Sequence, residues 1–376
     1  MVEAMTHECM QAFGPVVVVG PLPPPAGGMA NQTRQLTELL RAAQAEVTLV
    51  QTNSPYRPTW IQRFSGVRAV FRLVPYVRSL WRATSACTVM HVIANSGWAW
   101  HLFAVPAIWV GWLRKVPVVI NYRGGEASEF LAKSQGLVRF SMRRVARLIV
   151  PSAFLGTVFA RHGMSSTIVP NVVDLGRFHP RSIRSDDSAH LVVARNLEPL
   201  YDNETALRAF QIVHFEVPGS RLTIAGSGPQ NRWLRELALD LGLKHAVEFV
   251  GSLNREEMAA LYRSADLMIN PSLVDNMPNS ILESMATGVP VVSTNVGGVP
   301  FMVRDGITAL LVPPSDPHAM AAACLKLLRN NALWRQLSET GLIEVQRYTW
   351  GHVAPLLASV YRQAIAEKRG QSFVNT

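Results

Sequence analysis

Short, continuously apolar runs alternate with helical segments along this chain, and they do so in two separate series. Strands with no polar alternation that are separated by helices are typical of parallel sheets buried on both faces. The strands are predicted at 15–20, 46–52, 116–122 and 147–152, and again at 190–196, 220–226, 246–251 and 266–272; helices are predicted at 31–43, 203–215, 230–242 and 254–264. The pattern predicts an α/β fold with two Rossmann-like, doubly wound domains. Ligands of such sheets bind at the carboxyl ends of the strands, so we expect the site in a cleft across which the two domains face each other.

The length of 376 residues also favours two domains, because it exceeds what one ordinary core organises. The polar segment "RSIRSDDSAH" lies between the two series and is interpreted as a linker. We therefore expect an N-terminal domain over 1–180, a C-terminal domain over 181–350, and a last helix over 351–376 that returns to the first domain.

Positive charge is concentrated in the first half of the chain. Residues 1–185 hold 20 Lys and Arg against 7 Asp and Glu, a balance of +13, whereas residues 186–376 hold 16 against 19. Such asymmetry indicates an anionic partner, for which nucleic acid and anionic lipid are both candidates. The stretch 60–82 mixes Arg63, Arg68, Arg72, Arg78 and Arg82 with Trp, Phe, Val and Leu and contains no acid. It is read as a membrane-surface helix; the alternative is a core-facing helix with a solvated arginine face.

No segment of the sequence is predicted to cross a membrane. The apolar run 97–113 is interrupted by His101 and Pro106 and is followed at once by a strand, so it is interpreted as a buried helix. The N-terminal residues do not resemble a signal peptide, and the three cysteines lie far apart. We expect a cytoplasmic protein that lies peripherally on the inner face of the membrane.

Two carboxylates flank a predicted helix start in the second series. Asp275 lies in the loop after the strand 266–272, Pro278 fits the first helical position, and Glu283 lies one turn further on. The amides of Asn279 and Ser280 at this helix N-terminus would attract a phosphate. Carboxylates accept hydrogen bonds from sugar hydroxyls, so the arrangement indicates a sugar nucleotide lying across the helix end. The alternative is an ordinary loop acid and a solvated helix residue.

The neighbouring motifs resemble those of one known family. The segment "DNMPNSILESMATGVPVVSTNVGG" resembles the acid–seven residues–Glu hallmark and Gly-Gly turn of the family-4 retaining glycosyltransferases, which have the GT-B fold. The segments "VGPLPPPAGGMANQ", "IVPNVVDLGRF", "LTIAGSGPQNRW" and "DGITALLVPPSDP" resemble other parts of that family in the same order.

The resemblance implies roles for individual residues. Glu283 matches the ribose partner, and Asp275 matches the acid near the transferred sugar, where the family usually has Glu. Arg195 matches the arginine that binds the donor diphosphate. Three short segments match parts that approach the donor: Gly27 and Gly28, Gly226 and Gly228, and Asn279 with Ser280.

Three departures from the family pattern concern the diphosphate clamp and its surroundings. Tyr201 stands where the family usually has a lysine, and Phe301 stands where it commonly has Glu. Arg123 stands about where a His is frequent. Arg123 either replaces part of the missing positive charge at the donor or forms a structural ion pair with Glu126.

The resemblance implies transfer of a sugar from a UDP-sugar or GDP-sugar to a saccharide or lipid-linked saccharide, with retention of configuration, in the synthesis of a cell-surface polysaccharide or glycolipid. The chain has no Asp-x-Asp motif, so no metal and no cofactor are expected. The expected partners are the nucleotide sugar, the acceptor and an anionic membrane surface, and not nucleic acid. A sugar-nucleotide epimerase of the same fold and a non-catalytic nucleotide-sugar-binding protein are the alternatives.

Overall fold

Two parallel sheets of six strands each organise the part of the chain that the computed structural model describes, which is residues 13–24, 27–54, 68–180, 189–368 and 370. The chain divides into two compact units. One contains the described residues up to Asn171 and those from Trp350 onward, and the other spans Val172–Thr349. The predicted α/β architecture with two doubly wound sheets is thereby confirmed.

The sheet of the first unit has the strand order β2-β1-β3-β4-β5-β6, with every neighbouring pair parallel. Its strands are β1 (Val16–Gly20), β2 (Val47–Gln51), β3 (Val89–Ala94), β4 (Val118–Tyr122), β5 (Arg147–Val150) and β6 (Thr167–Ile168). Its connecting helices are α1 (Gly28–Ala42), α2 (Arg68–Ala83), α3 (Val105–Leu113), α4 (Ala127–Met142) and α5 (Ala153–Arg161), and a π-helical turn (Trp100–Ala104) leads into α3. All the residues of β1, β3 and β4 are buried, as strands covered on both faces require.

The sheet of the second unit has the order β12-β11-β10-β7-β8-β9 and is also parallel throughout. Its strands are β7 (His190–Ala194), β8 (Arg221–Ala225), β9 (Val247–Gly251), β10 (Leu267–Asn270), β11 (Val291–Thr294) and β12 (Leu310–Val312). Its helices are α6 (Asn203–Glu216), α7 (Asn231–Asp240), α8 (Arg255–Ser264), α9 (Asn279–Ala286), α10 (Pro317–Arg329) and α11 (Asn331–Glu344), with 3₁₀ turns at Pro199–Tyr201, Val299–Phe301 and Val345–Tyr348. The chain leaves β7 towards one edge of the sheet and returns at β10 towards the other, so the order reverses between these two neighbours.

The last helix, α12 (Trp350–Lys368), packs on strands β3 and β4 of the first sheet. Its Tyr361 hydroxyl lies 2.8 Å from Nδ1 of His91, and both side chains are buried. Nε2 of the same imidazole lies 3.0 Å from the side-chain amide of Asn121. Burial and the nearby Arg123 charge lower the pKa of His91 to about 3, so this ring is neutral at physiological pH.

Some elements differ from their sequence-based predictions. Strand β3, with His91 at its middle, was not predicted. The apolar run 97–113 forms the π-helical turn and the short helix α3. In the part of the chain that the structure describes, no helix is both long enough and apolar enough to span a bilayer. Most of the predicted linker, 181–188, and Arg63 lie outside the described residues, and the segment 172–180 belongs to the second unit.

Candidate functional site

The carboxyl ends of β7 and β10 meet at the point where the second sheet reverses its strand order. The two strands are paired in parallel, Leu191 with Leu267 and Val192 with Met268. Helices leave these two strands in opposite directions, so the strand ends border a crevice, which is the usual ligand position in open α/β sheets. Arg195 immediately follows β7, and the loop that leads to α9 follows β10.

Arg195 is anchored by the loop after β10. Its Nε and Nη2 atoms donate hydrogen bonds of 3.1 and 2.9 Å to Oγ of Ser272, and Nη2 also forms an ion pair with the carboxylate of Asp275. The Arg195 and Asp275 side chains are only 11% and 12% exposed. Burial lowers the pKa of Arg195, and the nearby Tyr201, Tyr262 and Glu283 oppose that shift. The guanidinium is therefore a fixed positive group at the strand ends.

Tyr201 covers the guanidinium of Arg195. The centre of its ring lies 4.5 Å from Cζ of Arg195, which is a cation–π contact. The ring is carried by the 3₁₀ turn Pro199–Tyr201, and the amide of Leu273 donates to the carbonyl of Leu200 over 2.9 Å. Tyr201, at the position where the resemblance predicts a lysine, thus packs against Arg195. From the sequence, only the missing lysine charge at Tyr201 was predicted. The contact of its ring with Arg195 was not predicted.

The backbone of Asp275 is held by the glycine turn after β11. The amide of Gly298 donates to the carbonyl of Asp275 over 2.8 Å. Gly297 has φ +54°, and a Cβ at this position would collide with the same carbonyl. The turn formed by Gly297 and Gly298 therefore positions the loop acid. Phe301, in the 3₁₀ turn that follows, is 57% exposed.

Helix α9 begins beside this loop. Pro278 occupies the N-cap rather than the predicted first helical position, so the helix starts one residue later, at Asn279. Ser280 is 5% exposed, and among the described residues its Oγ has no hydrogen-bond partner. A buried hydroxyl beside a helix N-terminus is a group that an anionic ligand can satisfy.

Glu283 lies one turn inside α9 and is largely buried against α8. Burial raises the pKa of its carboxyl to about 7, and the nearby Arg255, Tyr262 and Arg195 oppose the rise. The same surroundings raise the pKa of Tyr262 well above its usual value, chiefly by burial. Glu283 therefore exchanges a proton near neutral pH, and in either protonation state it can hydrogen-bond a hydroxyl group.

Gly226 and Gly228 have an internal structural role. A Cβ at Gly226 would collide with the carbonyl of Arg195, and a Cβ at Gly228 would collide with the carbonyl of Leu197. The amide of Leu197 donates to the carbonyl of Ser227 over 3.0 Å. The two glycines let the loop after β8 pack on the segment that carries Arg195, and donor binding by them stays a prediction.

Gly27 and Gly28 form the open start of α1 in the first unit. Gly27 is the N-cap and Gly28 the first helical residue, and a Cβ at either would meet no heavy atom within 4 Å. No packing among the described residues requires glycine here. The predicted approach of a ligand to this backbone is compatible with that open space.

Arg123 also belongs to the first unit, after β4. It donates to Oδ1 of Asn121 over 3.0 Å, to Oε1 of Gln32 in α1 over 2.5 Å, and to Oδ1 of Asn171. Burial lowers its pKa to about 10. The guanidinium thus ties α1 and Asn171 to the end of β4. Because Arg195 belongs to the other unit, a contribution of Arg123 to the donor clamp stays a prediction.

The structure thus brings Arg195, Asp275 and the start of α9 together, with Glu283 close enough to perturb the pKa of Arg195. Within the described ranges, no group of three or more His, Cys, Asp or Glu side chains is arranged to hold a metal ion. The site can present positive charge and helix amides to a diphosphate and carboxyl groups to hydroxyls. It has the composition of a nucleotide-sugar site in a two-sheet α/β protein.

Comparison with known proteins gives the family. Residues 26–177 match the model of Glycosyltransferase Family 4, and residues 189–330 match that of Glycosyl transferases group 1. Glycogen synthase of Mycobacterium tuberculosis (strain H37Rv) is 30% identical over 285 residues, which cover 72% of this chain and 68% of that protein. The chain belongs to the family-4, group 1 glycosyltransferases, as the sequence motifs predicted.

Two further comparisons add detail. A D-inositol 3-phosphate glycosyltransferase of Nocardioides sp. (strain ATCC BAA-499 / JS614) is 34% identical over 220 residues, 52% of this chain and 48% of that protein. The chain therefore spans about half the length of this relative. The crystal structure of Anabaena HepE in complex with UDP covers 92% of this chain and 98% of its own, with a TM-score of 0.70 at 15% identity. That likeness shows the GT-B fold.

Proposed function

We propose that this protein transfers a sugar from a nucleoside-diphosphate sugar to a saccharide or a lipid-linked saccharide. The observation that carries the proposal is the fixed position of Arg195, at the reversal point of the second sheet and bonded to the loop that precedes α9. A guanidinium and a helix N-terminus together form a site for a diphosphate. Membership of the glycosyltransferase family supports the same conclusion.

Each residue of the site has a defined part in this proposal. Arg195 and the first amides of α9 bind the diphosphate, and the Ser280 hydroxyl donates to it. Glu283 accepts from the ribose hydroxyls, and Asp275 accepts from hydroxyls of the transferred sugar. During reaction the bond from the anomeric carbon to the β-phosphate oxygen breaks, and negative charge collects on that phosphate. The positive groups stabilise this charge and so lower the barrier.

The acceptor attacks the same face from which the diphosphate leaves, and configuration is retained. The acceptor hydroxyl oxygen forms the new bond to the anomeric carbon, and its proton passes to the departing phosphate. No protein nucleophile is required in this scheme. Retention is the outcome implied by the family resemblance, and the anomeric configuration of the product tests it.

Uridine nucleotides are the first donors to examine, because Anabaena HepE, a protein of the same fold, was crystallised with UDP. UDP-sugars and GDP-sugars should be compared directly. The acceptor is proposed to be lipid-linked and to lie on an anionic membrane, as an intermediate of cell-surface polysaccharide or glycolipid synthesis. The positive balance of the first half of the chain supports this part of the proposal.

The function is tested by incubating the protein with a panel of nucleotide sugars, with and without extracted membrane lipids. A transferase releases nucleotide and labels the lipid fraction, whereas an epimerase changes the sugar without releasing nucleotide. A binding protein does neither. Arg195→Ala is the matched variant, and its release of nucleotide should fall by about 10²–10³-fold. Full release in that variant would place the diphosphate elsewhere, and Arg123 would then be the next residue to replace.

A further inference from the structure

Exposed aromatic side chains lie along one edge of the first sheet. Helices that connect parallel strands run antiparallel to them, so the last turns of α2, α3 and α4 lie where β3, β4 and β5 begin. These three helices are neighbours on one face of the sheet. Four large apolar side chains in or next to those turns are about half exposed: Trp81 46%, Trp112 44%, Leu113 57% and Phe140 48%.

Arginine and ring contacts join these side chains into one surface. The guanidinium of Arg114 lies over the ring of Trp81 at 5.0 Å. The guanidinium of Arg144 lies 5.3 Å from the ring of Trp112 and 4.5 Å from that of Phe140. We call the surface formed by Trp81, Trp112, Leu113, Phe140, Arg114 and Arg144 the aromatic–arginine edge. It presents apolar rings to solvent with cations held directly against them.

A basic depression adjoins this edge. It has a volume of about 450 Å³, and its lining includes Arg139, Arg143, Arg147, Ser165, Ser166 and Thr167. Arg139 and Phe140 lie in the last turn of α4, and Arg143 and Arg144 directly follow its last residue, so the edge and the depression share one helix end. Arg147 pairs with Glu367, whereas within the described ranges Arg139 and Arg143 form no ion pair.

Negative charge is absent from the whole region in sequence. The chain contains no Asp or Glu from residue 47 to residue 125, nor from residue 130 to residue 173. Every helix end at the edge therefore lies in an acid-free segment of the sequence. Glu367 is a carboxylate from another segment, α12, and it forms an ion pair with Arg147. Unpaired cations next to exposed indoles are the combination that suits the headgroup layer of an anionic bilayer.

We infer that the aromatic–arginine edge docks the protein on an anionic phospholipid membrane, with the phosphate of one headgroup in the depression between Arg139 and Arg143. The inference rests on the membrane part of the proposed function and supplies a surface for it. The proposed membrane contact is therefore formed by the ends of α2, α3 and α4. It is not formed by the row of arginines in the membrane-surface helix predicted over 60–82. The indoles would lie at the level of the headgroups and Leu113 would reach the acyl boundary.

Charge argues against other occupants of this surface. A second copy of the chain would bring the same positive potential, so two such edges repel each other. Nucleic acid would satisfy the arginines but would leave the Leu113 side chain in water. An anionic bilayer satisfies both kinds of group at once.

The test is sedimentation with vesicles, using the full-length protein without nucleotide sugar. Vesicles of phosphatidylglycerol and phosphatidylcholine in equal parts should retain the wild type at low salt, and vesicles of phosphatidylcholine alone should retain much less. Neutralising one arginine with Arg143→Gln should weaken partition by about fivefold, and Arg139→Gln with Arg143→Gln by about 25-fold. Trp112→Ser should weaken it by about fivefold.

Two variants serve as matched controls. Trp233 lies in the second unit and is 41% exposed, close to the 44% of Trp112, so Trp233→Ser changes an equivalent indole elsewhere. Arg362→Gln removes one exposed charge from α12, which packs on the other face of the first sheet. Both controls should bind vesicles as the wild type does. Equal losses in the controls would mean that only net charge or hydrophobicity matters, and would overturn the assignment to this edge.

Two further results of the vesicle and oligomer measurements would overturn the docking inference. A wild type that ignores phosphatidylglycerol vesicles at low salt would overturn the inference. So would a lipid-free dimer that Trp112→Ser dissociates, because the edge would then be a contact between copies of the chain. Vesicle binding is measured without a donor, so the two proposals fail separately. A protein that binds vesicles but transfers no sugar would overturn the proposed sugar transfer and leave this inference. A protein that transfers sugar but ignores vesicles would overturn this inference and the membrane part of the proposed function, and would leave the sugar transfer.

Discussion

The side chains of Arg195 and Asp275 form an ion pair that joins the ends of β7 and β10, the two strands between which the second sheet reverses its order. Ser272 adds two further hydrogen bonds to the same guanidinium. The pair holds the cation of the site at the crevice mouth. In the proposed binding mode, the diphosphate therefore shares Arg195 with a carboxylate.

Removing one member of this pair should cost more stability than removing both. Arg195→Met leaves Asp275 as a nearly buried, unpaired charge, which costs on the order of 3 kcal/mol in the free energy of unfolding. The double variant Arg195→Met, Asp275→Leu should recover a large part of that loss. Thermal unfolding of the two single variants and the double variant measures the coupling. Purely additive effects would show that the two side chains do not stabilise each other in solution.

Tyr201 should act on catalysis by holding Arg195 through its ring. Tyr201→Ala removes the cation–π contact and should lower turnover by about 3- to 30-fold. Tyr201→Phe keeps the ring and should stay within about twofold of the wild type. Steady-state kinetics with saturating donor provides the measurement. If the Phe variant is as impaired as the Ala variant, the hydroxyl and not the ring is the important group.

Glu283 should make stability depend on pH in a defined window. Its pKa in the folded protein, about 7, lies above its usual value of 4.5, so folding favours the protonated form. The associated stability is fully present below pH 4.5 and is lost as the pH rises through about 7. Glu283→Gln cannot ionise. Its Tm relative to wild type should therefore increase from pH 4.5 to 7 and then level off. A constant difference in Tm across that range would contradict a raised pKa.

Alanine substitution should affect donor binding at the glycine pair Gly27 and Gly28 and thermal stability at the pair Gly226 and Gly228. Gly27→Ala adds a methyl group to open space, so the Tm should hardly change while donor affinity falls if a ligand approaches this backbone. Gly228→Ala forces a collision with the carbonyl of Leu197 and should lower the Tm by several degrees. Calorimetry of the free protein and titration with nucleotide sugar separate the two effects. Unchanged donor affinity in Gly27→Ala would remove the α1 start from the site.

Transfer should continue in the presence of a strong chelator. Arg195 and the α9 N-terminus supply positive potential at the proposed diphosphate position, and the sequence has no Asp-x-Asp motif to hold a divalent ion there. Nucleotide release with and without the chelator is the measurement. Release that stops with the chelator and returns with Mg²⁺ or Mn²⁺ would show that a metal takes part.

Features that depend on residues close together in the chain could be predicted from the sequence alone. The apolar runs predicted both parallel sheets, because burial on both faces removes the alternation of polar residues. Asp275, Asn279 and Glu283 could be placed around one helix start, since a few residues of loop and a turn of helix fix their spacing. The family could also be predicted, because its motifs are short local segments that occur in a characteristic order along the chain.

Contacts between distant segments depend on how the chain packs and could not be predicted from local sequence patterns. The pairing of β7 with β10 brings Arg195 to Ser272 and Asp275, and no local pattern encodes that neighbour. The stacking of Tyr201 on Arg195 also depends on tertiary packing, and the raised pKa of Glu283 follows from burial. Strand order, burial and the meeting of helix ends are properties of the packed chain, because contacts between residues far apart in sequence determine them.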